Sequence, residues 1–121
     1  MRGVSRAALL IMVVGLAACV GRSELRQGYV FFGFETSAFQ PCGDAEQWWL
    51  AGDADVMGEL GQAFASVRET LGARLYVEVR GVLSREGSYG HMGAYPREFH
   101  VTEVLTARPS REGDCVASSP P

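Results

Sequence analysis

The 121-residue chain contains no lysine; its eleven basic residues are all arginine. Cysteine is scarce, with only Cys19, Cys42 and Cys115. No CxxC pair occurs, and neither His91 nor His100 lies near a cysteine in sequence, so the spacings of paired-thiol metal sites are missing. There is no HExxH, no phosphate-binding glycine loop and no Ser-His-Asp order with a nucleophile elbow. The chain therefore reads as a non-enzyme without cofactor or metal. A formal net charge of −3 provides no counterion-release drive towards DNA or RNA, which excludes nucleic acid as a partner. The longest apolar run, Ala7 to Ala18, falls short of the roughly 20 residues that cross a bilayer. No internal repeat is present, and the length suits one modest domain.

What the apolar run does is set by its flanks. Arg2 and Arg6 precede it, as in the n-region of a secretory signal. A buried core helix is the other reading of such a run, but Gly15, Ala17 and Ala18 crowd its end and the polar "GRSELRQG" follows. Leu16-Ala17-Ala18-Cys19 resembles the lipobox of bacterial lipoproteins. In that family cleavage falls before the cysteine, whose thiol receives a diacylglycerol and whose amine is often acylated. The resemblance implies a signal peptide over 1–18, a lipidated Cys19 with a polar tether over 19–27, and a membrane as first partner. Each buried methylene contributes about 0.8 kcal/mol, and two or more chains make such anchoring stable. Val20 stands where lipoproteins retained in the inner membrane often carry Asp, which implies an outer-membrane location facing the periplasm. Loss of Arg2 and Arg6 with the signal lowers the net charge from −3 to −5.

With Cys19 assigned to lipid, Cys42 and Cys115 remain as an even pair in an oxidising compartment, and a disulfide between them is expected. The competing role, two thiol metal ligands, requires further ligands at suitable spacing. A bridge closing a loop of this size contributes about 4 kcal/mol in the chain-entropy model.

Along the mature chain, "GYVFFGFE" (28–35), "SAFQPCG" (37–43) and "EQWWLAG" (46–52) read as three short strands, the second ending at Pro41. From 53 to 72 the period changes: Val56, Leu60, Phe64, Val67 and Leu71 share one helical face. Asp53 or Asp55 suits the N-cap and Gly72 the left-handed C-terminal position. Gly58 and Gly61 cost about 1 kcal/mol each against alanine, unless they allow a close approach to the sheet. "ARLYVEVRGVLS" (73–84) alternates as a half-buried strand, with Gly81 at a bulge. A glycine-rich loop (85–96) leads into a last strand over 97–107, whose alternation slips at Val104-Leu105. The domain is thus expected over 28–115, with a disordered tail over 116–121. Three strands, a helix and two strands is the order of an OB-like five-stranded barrel with its helix between strands 3 and 4, although other small α+β domains share it. "GFETSAFQPCG", "WWLAG", "LYVEVRGVLS" and "REFHVTEVLTARP" followed by a late Cys also resemble a group of small proteobacterial envelope lipoproteins. These are similar to the C-terminal OB domain of the NlpE family, linked to copper tolerance and envelope-stress signalling. That family carries a further N-terminal domain with a CxxC, which this chain lacks, so the resemblance implies fold and compartment and leaves copper chemistry without its motif.

The candidate binding residues follow from the barrel. Trp48 and Trp49, adjacent on a strand, face opposite ways: one enters the core and the other either packs under a loop or stacks on a sugar or peptide. Tyr89, His91 and Tyr95 lie in the loop between strands 4 and 5, which borders the OB ligand face, flanked by Arg85 and Arg97. The loop is either a site for a planar or anionic group or a connector whose tyrosines close the barrel mouth. Met57, His91, Met92 and His100 are donor types suited to copper, though nothing in their spacing makes them converge. Asp44, Glu35, Glu46, Glu78 and Glu103 are scattered in the manner of a solvated face. The combined expectation is a non-enzymatic binding or scaffolding lipoprotein with an envelope protein or glycan partner. The alternatives are a copper-handling or stress-sensing lipoprotein and a small hydrolase or inhibitor.

Overall fold

The computed structural model describes residues 21–116 and Gly3. The signal segment, Cys19 and the tail from 117 onwards lie outside the described residues. Five strands close a barrel in the order β1-β2-β3-β5-β4: β1 (Ser23–Gly33), β2 (Thr36–Pro41), β3 (Trp48–Gly52), β4 (Leu75–Leu83) and β5 (Glu98–Pro109). The helix α1 (Ala54–Arg68) stands between β3 and β4, and β3 runs parallel to β5 while the other pairings are antiparallel. This is the expected OB-like architecture. Closure gives each barrel strand a neighbour on both sides, so the edge-strand hazard of an open sheet is confined to short stretches such as Phe31–Gly33, which β4 does not reach.

β1 begins at Ser23, inside the stretch read as a tether. Ser23 to Gln27 pair with Val82 to Glu78, because the long β4 needs a partner along its whole length if the barrel is to close. The β1–β2 hairpin turns through Phe34 and Glu35, with Glu35 in the left-handed region (φ 50°). On β5, Leu105 and Thr102 are skipped in the pairing with β4, and the two bulges account for the slip in alternation there. Gly81 sits at the second bulge: a Cβ on it would fall 2.6 Å from the His100 carbonyl oxygen and 2.8 Å from the Phe99 ring.

The core is continuous from barrel to helix. Val30, Phe39, Trp48, Leu50, Val77, Val79, Phe99 and Val101 fill the barrel, and Leu60 and Val67 bring in α1. Val56 and Phe64 are partly buried beside them, as the helical spacing predicts. Two expectations for the helix are corrected. It ends at Arg68, and Leu71 is fully exposed: Thr70 N–H bonds to Val67 O and Ala73 N–H to Thr70 O, so successive turns lead the chain away from the helix axis before Gly72 (φ 79°). Gly58 and Gly61 allow no close approach, since a Cβ on either meets nothing within 4 Å. Asp53 is the N-cap residue and forms no side-chain capping bond.

The expected disulfide is present. Cys42, in the turn after β2, is bonded to Cys115, beyond β5, across 73 residues of sequence. Beside it Arg108 donates from Nη2 to Asp114 Oδ1 (2.6 Å) and from Nη1 to Oδ2 (3.3 Å), and the Arg111 N–H donates to the same carboxylate at 2.6 Å. These donors, the Arg108 guanidinium first, hold the Asp114 carboxyl below the usual aspartate range, against a smaller upward push from desolvation. Arg108 lies 4.4 Å over the ring of Tyr76, whose hydroxyl pKa is pushed up by burial and by the neighbouring Glu78.

Candidate functional site

The loop between β4 and β5 is ordered by its own backbone. Ser84 N–H bonds to Glu98 O, Gly87 N–H to Pro96 O, and Tyr89 and Tyr95 exchange both N–H···O bonds, at 2.9 and 3.2 Å. The result is a hairpin continuing the two strands, tipped by a 3-10 turn over His91–Gly93. It folds onto Trp49. The Tyr95 and Trp49 rings meet edge to face at 5.3 Å, and Gly90 (φ 70°) lies against the indole so closely that a Cβ would enter the ring. The backbone N–H of Trp49 donates to the Arg97 carbonyl oxygen at 2.9 Å.

The two tryptophans divide as the strand geometry requires. Trp48 points inward between Phe39 and Phe99 and donates from Nε1 to Glu46 Oε1 at 2.9 Å. Its burial takes it off the accessible surface. Trp49 points outward and is half-buried by the loop.

The flanking arginines differ in their freedom. Arg97 donates to Ser84 O at 3.0 Å and approaches Glu86 and Glu46 at 3.6 and 3.8 Å, so its charge is compensated within the loop. Arg85 is exposed, and its carbonyl accepts from the Tyr89 hydroxyl at 2.9 Å. Of the aromatic and cationic residues that the sequence gathers here, Trp49, Tyr89, Tyr95 and Arg97 mostly hold one another in place.

What remains outward is the tip. His91 Nε2 lies 3.0 Å from Glu35 Oε2, joining this loop to the β1–β2 turn. Phe34 and Met92, the neighbours of that pair, are 90 % and 86 % exposed. Met92 has positive φ (58°), like Glu35, so both turns present their side chains from tightly constrained backbone. The sequence pattern places Phe34 and Glu35 at the end of the first strand and Glu35 among the scattered carboxylates; the strand ends at Gly33, and a two-residue turn without Asn or Gly carries none of the usual hairpin signals.

The copper-type donors are divided between two places. His91 and Met92 are at the tip, whereas His100 faces Asp53 (3.9 Å) and Met57 lies at the start of α1 against Gly52. Among the described residues no group of three or more His, Cys, Asp or Glu side chains is placed to hold a metal ion. The scattered carboxylates are partly engaged: Glu78 accepts from Gln27 and Tyr76, and Glu103 approaches Arg80 at 3.6 Å.

Comparison with protein-family models and with curated proteins finds no match. Among solved structures the chain is similar to the Cpx pathway activator NlpE from Escherichia coli, with a TM-score of 0.54 at 14 % identity over 79 % of this chain and 44 % of that one. The chain thus spans less than half the length of NlpE, and what the two share is the barrel fold.

Proposed function

We propose that the chain is an envelope lipoprotein, held at the outer membrane through lipid on Cys19, whose barrel serves as a non-enzymatic binding or scaffolding module. The observation that carries the binding surface is the tip formed by Phe34, Glu35, His91 and Met92. Two large apolar side chains stand in water there, with the 3.0 Å His91–Glu35 contact joining the two turns that carry them. Apolar groups carried on turns whose backbone is already ordered cost less to cover than groups on a segment that must first fold. The partner that fits is an envelope protein or glycan surface with an apolar spot and a polar surround.

Two measurements on the full chain in its own membrane test this. Extracted protein is expected to have an intact mass that begins at Cys19 and includes acyl chains. A photoreactive residue at Met92 or Phe34 is expected to give a discrete envelope adduct that the same residue at Leu105, exposed on β5, does not. A lipid-free mass overturns the anchor; equal or absent adducts from all three positions overturn the tip.

The likeness to a Cpx pathway activator favours a second reading, envelope-stress sensing. Raised expression of the full chain would then induce a Cpx-responsive reporter, and an unchanged reporter retires it.

A further inference from the structure

The opposite side of the β1–β2 hairpin carries a different kind of surface. Phe31 stands across from Ala38 and Tyr29 across from Gln40, all on the face away from the Val30 and Phe39 core. The last turns of α1, with Phe64 and Val67, and the return segment to Leu75 complete a mainly apolar groove of about 380 Å³. That volume lies within the roughly 300–1,000 Å³ of small-molecule sites. Along Phe31 and Phe64 the groove continues towards Phe34.

We propose that this groove binds a single-chain anionic amphiphile, a fatty carboxylate, with its tail along Phe31, Phe64 and Val67 and its head group on Arg68 and Arg74. Charge carries the identity of the head. Among the described residues no carboxylate lines the groove, although the chain is acidic overall. Among the described residues Arg26, Arg80, Arg97 and Arg108 have a carboxylate partner and Arg22, Arg68, Arg74, Arg85 and Arg111 have none; of these five, Arg68 and Arg74 stand on the groove wall. Arg74 is instead held 3.7 Å over the Tyr29 ring, which fixes a guanidinium at the groove wall. Topology limits an extended peptide as occupant. A peptide adds to a free strand edge, and at the groove β1 is paired with β2 over Gly28–Gly33 and with β4 up to Val30, which leaves only the three residues Phe31–Gly33 open on one side. The neutral polar groups on the lining are those of Tyr29, Gln40 and Gln47, so most of the wall can satisfy only a hydrocarbon.

The test uses the full chain in phospholipid vesicles with a diazirine-bearing myristate as photoprobe, and adducts mapped by peptide mass. Adducts are expected on the peptides containing Phe31 and Phe64. Laurate should compete, and dodecyltrimethylammonium, of equal chain length and opposite charge, should not. The double variant Arg68→Gln/Arg74→Gln should lower labelling about tenfold, the size expected for loss of a charge-assisted hydrogen bond, with its melting temperature unchanged. Ala73→Phe, which fills the groove and keeps both arginines, should lower labelling as well. Labelling spread evenly over the chain, or equal competition by the ammonium amphiphile, overturns the proposal. So does a protein adduct from a photoreactive residue at Phe31 with no myristate labelling, which would make the groove a protein-docking surface.

Discussion

Two outward faces of one barrel are built in contrasting ways. On the β3–β5 side, the loop of 84–97 lays its aromatics on Trp49 and pairs Arg97 internally, so the cluster that looks most like a ligand site is largely satisfied by its own members. On the α1 side, apolar walls stay open beside Arg68 and Arg74, which have no carboxylate partner among the described residues; Arg85 on the loop side shares that lack but has no such groove beside it. Aromatic density marks where a small barrel secures a long loop; unpaired charge beside uncovered apolar surface marks where it can take a ligand. The two sides are also fastened differently, the loop side by packing and the groove side by the covalent link from Cys42, just past Gln40, to Cys115.

The largest effect that would sharpen this contrast comes from the staple. Cys42→Ser with Cys115→Ser is expected to lower stability by about 2–5 kcal/mol in denaturant titration. Hydrogen exchange should rise more in β1 and β2 than in residues 84–97; a uniform rise would erase the distinction. Next is Tyr95→Ala, which removes the ring packed on Trp49. A loss of about 1–2 kcal/mol is expected, with faster exchange at the Tyr89 and Tyr95 amides and no change in groove labelling. An unchanged melting temperature would mean that the loop is not fastened by its aromatics. Smaller again is Gly58→Ala. Its added methyl meets open space on the helix, so stability should rise by up to about 1 kcal/mol while both faces stay as they are.

The smallest effect is read as a slope. Because Arg108 and the Arg111 N–H hold the folded Asp114 pKa below its ordinary value, the ionised form is favoured by folding. The stabilisation is present above the ordinary aspartate range and is lost as pH falls through the lower folded value. The melting temperature should therefore drop below about pH 4, and less steeply in Asp114→Asn. Equal slopes would remove this pair from the fastening of the stapled end.

Much of the fold was legible in local pattern. The change from alternation to helical spacing near Asp53, and back near Leu75, located α1 and the order of elements. The slip at Val104-Leu105 was visible as a slip, and only the pairing with β4 shows it to be a bulge. The start of β1 was not legible: "SELRQ" has no strand-like apolar run, and its pairing is imposed by β4. The end of α1 was overextended because Leu71 keeps the helical phase while the backbone has already turned away. The candidate site was legible as an inventory of residue types. Its internal pairing was not, since Tyr95 against Trp49 and His91 against Glu35 join distant positions. The groove left one trace, the uninterrupted apolar run Tyr29-Val30-Phe31-Phe32, which leaves both faces of a strand in need of cover.

Composition and local periodicity thus determined the class of the protein: a small strand-rich domain with one helix after its third strand, and an even cysteine pair left once Cys19 is read as a lipid site. These depend on each residue's own chemistry and on neighbours within a few positions. Tertiary structure decided which aromatics are consumed and which charges are left over. Whether Arg97 meets Glu46 while Arg68 and Arg74 meet no carboxylate among the described residues depends on barrel closure and on where the chain turns after Arg68. Both are properties of long-range packing, which local sequence pattern does not encode.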